Sequence, residues 1–475
     1  MNAPAILWFR RDLRLSDLPA LVAAAADHDS ALAVFVLDPT LTGPSGARRR
    51  AFLAGCLRAL DAELGCRLFV VEGDPVIEIP RLVAQIGADE VHVSADFGPY
   101  GSSRDEAVSS ALAAASPSTA LVRTGSPYAV SPGRILTSAG TPYKVFTPFR
   151  NAWLDHGWRA PADSGPRSVE WLDPSGVPGR LTVDEVAHRL TIDEVAHHLT
   201  VDVTGLPDAG EAAALRQWQR FLGEDLDGYS DERNRPDLDS TSRLSPYLKF
   251  GCLHPRTLLH DLRSRSDPDA QTLRNQLAWR DFYADVLHAR PDTARGNYNP
   301  KFDAMVYNSG PDAESAFRAW CSGTTGFPIV DAGMRQLLAQ GWMHNRVRMI
   351  VASFLTKDLH LPWWRGARHF MAHLVDGDLA SNQHGWQWTA GCGTDAAPYF
   401  RVFNPVTQGE KFDPVGNYVR RWVPELRGIA GKAVHQPWRL RADDLFADPA
   451  AAAYPDPIVD HREEREVALT RYAQL

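Results

Sequence analysis

Five short apolar runs, separated by segments of helix length, constrain the fold of this chain more than any other feature. Residues 6–9, 32–37, 67–71, 90–93 and 121–123 read as strands, and residues 18–26, 48–63 and 77–86 between them are long enough for helices. Strands alternating with helix-sized segments build βαβ units, so the first part should be α/β with a mostly parallel sheet. Neither GxGxxG nor GxxxxGK[ST] occurs in it, so no ordinary dinucleotide or P-loop fingerprint defines it. Arg10, Arg11, Asp12 and Arg14 end the first apolar run too soon for a secretory signal.

From about residue 129 the pattern changes. Pro127, Pro132, Pro142 and Pro148 punctuate the chain, as do Ser164-Gly165-Pro166 and the run from Pro174 to Gly179. This predicts a long surface connector over 129–207. Within it, residues 181–188 are echoed by 190–197. The echo is too brief for a solenoid, and His188, His197 and His198 read as a solvated insertion. From about 208 the apolar spacing becomes helical, at 211–223, 271–290, 313–323, 331–340 and 345–357. The expected division is therefore 1–128 (α/β), 129–207 (connector) and 208–475 (all helical), with a weakly ordered stretch beyond Asp443 before a final helix.

A chain of 475 residues is long for one core and suits two domains. No apolar run has membrane-spanning length, so cytoplasm is the default address. Cys56, Cys66, Cys252, Cys321 and Cys392 form no CxxC pair, which points to reduced thiols rather than disulfides or zinc, and no metal site is assigned. A net charge of -8 disfavours a uniformly basic surface but leaves room for a local nucleic-acid site.

Several clusters could carry chemistry. Tyr229, Arg233 and Arg235 precede Thr241, Ser242, Arg243, Leu244 and Ser245, with Pro246 next. Hydroxyls, guanidinium forks and a helix start suit phosphate, though a plain cap with surface arginines reads equally well. Asp376-Gly377-Asp378 could bond ribose hydroxyls, and Arg348 is an available countercharge. Gln276, Trp279 and Arg280 share neighbouring helical positions and offer an amide, a ring and a cation for a base edge, a base face and a phosphate. Asn345, Arg346, Met349, Gln408 and Lys411 could extend that surface. Trp386 and Trp388, two apart in a helix, should point in different directions, and Trp363-Trp364 precede them. Taken singly, each of these residues reads as well as core or rim.

Longer motifs join these clusters. They include Trp8 to Arg14, Tyr143 to Phe149, Thr241 to Ser245, Thr325 to Asp331, Trp342 to Arg346, Asp376 to Asp378, and Trp386-Gln387-Trp388 on to Phe403-Asn404-Pro405. Over nearly its whole length the chain resembles the DNA photolyase and cryptochrome family, especially class I bacterial photolyases that act on cyclobutane pyrimidine dimers.

The resemblance implies a U-shaped FAD in the helical domain. Tyr229, Arg233 and Thr241 to Ser245 match its phosphate surroundings. Asp376, Gly377 and Asp378 match its ribose and adenine side, with Arg348 as the partner of Asp376. Asn382 matches an asparagine facing flavin N5, although the following Gln383-His384 departs from the usual Asn-Gly. Trp279 and Trp388 match two walls of a dimer pocket. Arg280, Asn345, Arg346, Met349 and Gln408 match residues of the DNA groove or pocket. The implied partner is UV-damaged DNA with the dimer flipped out, bound by a monomer. The implied reaction is light-dependent dimer splitting by an electron from excited FADH⁻, with a weakly repairing blue-light receptor as the alternative.

Gln276 stands where these enzymes carry a glutamate; an amide can donate a hydrogen bond but has no comparable acidic proton. The electron relay maps onto Trp386 and then Trp363; the distal tryptophan has no counterpart, and Tyr307 occupies its approximate position. Arg49, Asp96 and Arg104, with the Pro99-Tyr100-Gly101 turn, resemble an antenna site for 8-hydroxy-5-deazaflavin, with methenyltetrahydrofolate or FMN as alternatives.

Overall fold

The structure, a computed structural model, describes residues 3–193, 199–200, 204–394, 400–440 and 453–475. By compactness the chain divides into two units. One comprises Met1–Asp227, Ser242–Pro291 and Val375–Ala380; the other comprises Gly228–Thr241, Asp292–Leu374 and Ser381–Leu475.

The first unit is built on strands β1 (Ala5–Phe9), β2 (Ser30–Leu37), β3 (Leu68–Glu72), β4 (Glu90–Val93) and β5 (Ala120–Arg123). Their order is β3-β2-β1-β4-β5, and every pairing is parallel. β1 is buried along its whole length because parallel strands covered on both faces need apolar residues at every position. The helices between them are α1 (Pro19–Asp27), α2 (Ala47–Glu63), α3 (Pro75–Ile86) and α4 (Pro99–Ala115). Proline occupies the first turn of α1, α3 and α4, where its missing N–H costs nothing. Strand order reverses between β1 and β4, leaving a crevice beyond their carboxyl ends of the kind that open α/β sheets use for ligands.

The stretch expected to be a surface connector carries more structure than its prolines suggest. Glu170–Trp171 forms a sixth strand, β6, parallel to β2. Helix α5 (Phe146–His156) buries Phe149 and Trp153, packing on α6 (Pro268–Ala289). The first copy of the short duplication folds as helix Val183–Thr191 with His188 exposed. His197 and His198 lie outside the described residues, as do residues 441–452 of the expected tail.

Asp281 of α6 ties these pieces together, accepting hydrogen bonds from Val130 N and Trp153 Nε1, both at 3.0 Å. Burial lifts its carboxyl to about 6, opposed by Arg280 and by those bonds. The folded state therefore holds the proton more tightly than the unfolded chain, and the stabilisation is present below about pH 4 and lost as pH rises through about 6. Relative to Asp281→Asn, the wild type should lose ~3 kcal/mol across that window. Denaturant melts of both proteins at several pH values check this; parallel pH profiles would contradict it.

The second unit is helical. It contains α7 (Pro328–Gln340), α8 (Asn345–Ser353), α9 (Trp363–His373), α10 (Leu379–Ala390, whose first two residues belong to the other unit), α11 (Pro405–Phe412) and α12 (His461–Ala473). The sequence predicts one helix over 345–357; the chain instead widens into a π-turn at Phe354–Asp358. The core of this unit includes Trp320, Phe354, Trp363, Phe370 and Trp386. No described helix is long and apolar enough to cross a membrane.

Candidate functional site

In the first unit, α6 presents Gln276, Trp279 and Arg280 on one face because they are three and four residues apart. Trp279 is half-buried, and Phe146 stacks on one side of it with centroids 3.7 Å apart and planes 8° apart. Phe282 and Tyr283 brace its edges at 5.7 and 5.2 Å. The indole is thus fixed as a platform. Gln276 is half-buried, its amide 3.5 Å from Thr272 O. Arg280 is also engaged by the backbone around it. Its guanidinium donates to Pro127 O and Leu248 O at 2.8 and 3.1 Å and lies over the Tyr128 ring. That arginine braces the backbone under α6.

The same unit holds Ser242 to Ser245 and Asp376-Gly377-Asp378. Arg243 adopts φ 54°, a left-handed conformation that costs a residue with a side chain ~1–2 kcal/mol; such strain concentrates at ligand clamps. Leu244 is buried and Ser245 opens helix Ser245–Phe250. Arg11 donates to Asp378 at 2.6 Å. Burial and the adjacent Arg11 push the Lys249 ammonium down to about 7, against the pull of Asp378. Burial likewise lowers Arg49 to about 10, with Asp376 as its countercharge. An anionic group arriving beside Lys249 would restore its charge. Arg49 is therefore associated with the acid expected at the ribose rather than solely with an antenna.

Asp96 and Arg104 lie beyond the carboxyl ends of β1 and β4 and approach to 3.4 Å. Arg104 also bonds Asp105 at 2.9 Å, and Arg10 bonds the same carboxylate. Both guanidinium groups lie over the Trp8 ring. Burial resists ionisation of Asp96, but Arg11, Arg104 and Arg10 hold its carboxyl below the usual range.

In the second unit, Asn382 is buried on α10 and donates through Nδ2 to Ala367 O at 3.1 Å and to Gln383 Oε1 at 2.9 Å. Gln383 is itself fixed by donating to Ala294 O at 2.6 Å. With Nδ2 engaged twice, the group Asn382 has left to offer is its carbonyl oxygen, an acceptor suited to an N–H. The unusual Gln383 thus sets the orientation of that amide.

Four residues on, Trp386 is buried against Phe370 and Trp320 at 5.0 and 6.0 Å. Its Nε1 has no hydrogen-bond partner among the described residues. Gly366 is required beneath it, since a Cβ there would lie 2.1 Å from the indole. Trp363 is buried and bonds Asn297 at 2.9 Å. It meets Trp364 at 6.0 Å, and Trp364 meets Tyr307 at 5.4 Å. Tyr307, Trp363 and residues Ala468 and Arg471 of α12 line one small recess.

Trp388 points elsewhere. It lines a recess of about 160 Å³ with Lys357, Arg401 and Phe403, and Arg401 lies over its ring. Arg346 is held by Asn234 at 2.8 Å and lies over Phe412. Asn345 is exposed, whereas Met349 and Gln408 are half-buried. Arg348 donates to Met343 O at 2.8 Å. Tyr229 is buried, with Arg233 closing its one-turn helix and Thr241 half-buried. Ser240 Oγ, beside that threonine, is buried with no partner among the described residues. Ser240 precedes the segment expected at phosphate, and Trp386 lies on the helix that carries Asn382.

A family model described as DNA photolyase matches residues 5–167, and one described as the FAD binding domain of DNA photolyase matches 272–474. Deoxyribodipyrimidine photo-lyases of Streptomyces griseus and Escherichia coli are 40% and 36% identical to the chain, covering 97% and 98% of it and 97% and 98% of their own lengths. The chain belongs to the DNA photolyase family. A bacterial class III photolyase from Agrobacterium tumefaciens superposes with TM-score 0.91 at 38% identity, covering 100% of this chain and 98% of that one. A Synechocystis cryptochrome gives 0.86 at 28%, covering 100% and 99%. The FAD-binding match makes FAD the cofactor of the helical region.

Within this photolyase-family chain, sequence reading missed Arg11, Lys249, Phe146, Asn234 and Asn297. Each acts through another site residue, Lys249 through its charge and the others by contact, and the advance signal was that Arg11, Phe146 and Lys249 lie in or beside the family motifs.

Proposed function

We propose that the chain is a light-driven lyase that opens cyclobutane pyrimidine dimers in DNA, with FAD as the working cofactor. The observation that carries this reading is the Trp279 platform, backed by Phe146, in a chain whose FAD-binding match spans the helical region. When bound, reduced FAD would supply an electron to the dimer on absorbing light and recover it once the ring has opened. Tyr229, Arg233 and Thr241 to Ser245 would hold its phosphates. Asp376 and Asp378, with Arg49, Arg348 and Lys249 as cations, would serve its ribose and adenine side. Asn382 would accept from its N–H.

On the substrate side, Trp279 and Trp388 stack the flipped pyrimidines, while Gln276 donates to a base carbonyl. Arg346, Asn345, Met349 and Gln408 face the DNA. Asp96 and Arg104 would bind an antenna, with 8-hydroxy-5-deazaflavin as the first expectation and methenyltetrahydrofolate or FMN as alternatives. The protein is expected to be a cytoplasmic monomer.

Anaerobic illumination of the reduced protein with a defined dimer oligonucleotide, compared with a dark control, tests the proposal. Light-dependent loss of the dimer is expected; flavin without repair would favour a receptor. Gln276 supports that second reading, because it lacks the acidic proton a glutamic acid would give the dimer. Gln276→Glu should raise repair quantum yield and lesion affinity; unchanged values would remove any special role for Gln276.

Trp386, Trp363, Trp364 and Tyr307 supply oxidisable rings by which an electron can move inward. Burial pushes the Tyr307 phenol above its ordinary range; like any protonated phenol, it loses its proton on oxidation. Transient absorption should show a tyrosyl radical at the end of the series that disappears in Tyr307→Phe. An unchanged terminal radical in that variant would assign the end of the relay elsewhere.

A further inference from the structure

At the amino end of the sheet, opposite the crevice that holds Asp96, two histidines and a glutamate converge. Glu90 and His92 are two apart on β4 and so point to the same face, away from Val91 and Val93 in the core. Helix α1 packs on β4 and ends at His28. The ligand-capable atoms of His28, Glu90 and His92 all lie within 4.8 Å of one another.

Hydrogen bonding accounts for His28 but leaves the buried His92 unmatched among the described residues. His28 Nδ1 lies 2.9 Å from Ala3 O, a bond that only an N–H can make, so in the neutral ring Nε2 carries a lone pair. That nitrogen faces Glu90 Oε2 at 3.2 Å, a contact that either a proton on Nε2 or a cation shared with the carboxylate satisfies. His92 Nε2 is 2.9 Å from the same oxygen, yet neither nitrogen of His92 has a properly directed partner among the described residues. His92 is 1% exposed, and a buried polar group left unmatched costs about 1–3 kcal/mol. One cation accepting electrons from all three groups would give His92 its missing partner while satisfying His28 and Glu90.

We infer that His28, Glu90 and His92 form a binding site for a divalent transition metal of the zinc type, separate from the flavin and DNA chemistry. Two imidazoles and one carboxylate are a suitable zinc donor set, and zinc at ordinary bond lengths holds its ligand atoms about 3.3 Å apart. The two separations to Glu90, 2.9 and 3.2 Å, need only a few tenths of an ångström of adjustment, and all three ligand atoms lie within 4.8 Å of one another. The Nδ1–H of His28 on a backbone carbonyl is the outer contact that orients a metal-binding imidazole. Glu90, with its side chain 31% exposed, leaves an entry path and room for water as the remaining ligand. The bound metal would clamp the end of α1 to β4.

The test uses untagged full-length protein stripped with a chelator and titrated with Zn²⁺ or Co²⁺ alone. One equivalent per chain is expected, with visible Co²⁺ bands of low-symmetry coordination and a rise in Tm. Affinity should fall at least about tenfold in Glu90→Gln and in His28→Gln. X-ray absorption of the Zn²⁺-loaded wild type gives a readout independent of variant folding and should show two imidazole ligands. Absence of stoichiometric binding, undiminished binding in folded variants, or a zinc shell without imidazole would overturn the site.

Discussion

Trp279→Ala is expected to weaken binding of dimer-containing DNA by about 10–100-fold while leaving undamaged duplex nearly unaffected. Stacking of one base on an aromatic side chain contributes about 1–3 kcal/mol, and 1.4 kcal/mol is a factor of ten in affinity. The indole here is pre-positioned by Phe146 at 3.7 Å, so little ordering remains to oppose binding. Contacts to the backbone of undamaged DNA do not use the ring. Trp279→Phe should recover much of the loss, since a phenyl ring retains a stacking face. Competition binding with matched damaged and undamaged oligonucleotides measures the ratio. An equal loss for both would mean that the residue supports the surface as a whole rather than the lesion.

Trp386→Phe should nearly abolish light-driven reduction of oxidised FAD, while repair by chemically reduced protein continues. Phenylalanine fills much of the indole volume against Phe370 and Trp320 but is far harder to oxidise. The packing loss is expected to cost about 1–3 kcal/mol, too little to unfold a domain of this size but visible as a lower Tm. The Nε1 of Trp386 lacks a partner among the described residues, so the change strands no donor or acceptor there. The measurement is the rate of flavin bleaching under blue light with an external reductant, set beside repair after dithionite treatment. If photoreduction persists at the wild-type rate, electrons enter by another route. If both activities vanish together, Trp386 serves cofactor binding instead.

The two variants separate functions that a general loss of fold would merge. One should alter lesion recognition with photoreduction intact, and the other the reverse. Tyr307→Phe adds a finer distinction, because it should alter only the last radical in the series. The contact of Tyr307 with Trp364, rather than directly with Trp363, makes Trp364 an added site of study.

Where burial is complete, sequence and structure agree closely. β1 and most of β2 read as unbroken apolar runs because a parallel strand covered on both faces has no polar side to show. Helix α4 was harder to see: PYGSSRDEAVSSALAAA is mostly small and polar, with a weak apolar stripe, and only its opening turn stood out. β6 has two residues, too few for any period, and exists because Ser30 and Ala31 of β2 offer an open edge. Pro148 sits in the first turn of α5, where a proline is tolerated, and Trp153 of that helix finds Asp281 more than a hundred residues away. Neither partner could be named from local pattern.

By itself the sequence determined the α/β-then-helical order, the family, and the identity of the chemical groups in the motifs, because periodicity and motif spacing are local properties of the chain. Tertiary structure alone decided how those groups are used. It committed Arg280 to backbone carbonyls, fixed the Asn382 amide through Gln383, set Arg49 against Asp376, and gathered His28 with Glu90 and His92. Hydrogen bonds and fields depend on distance and direction in space, and residues far apart in a chain acquire both only when the core around them packs.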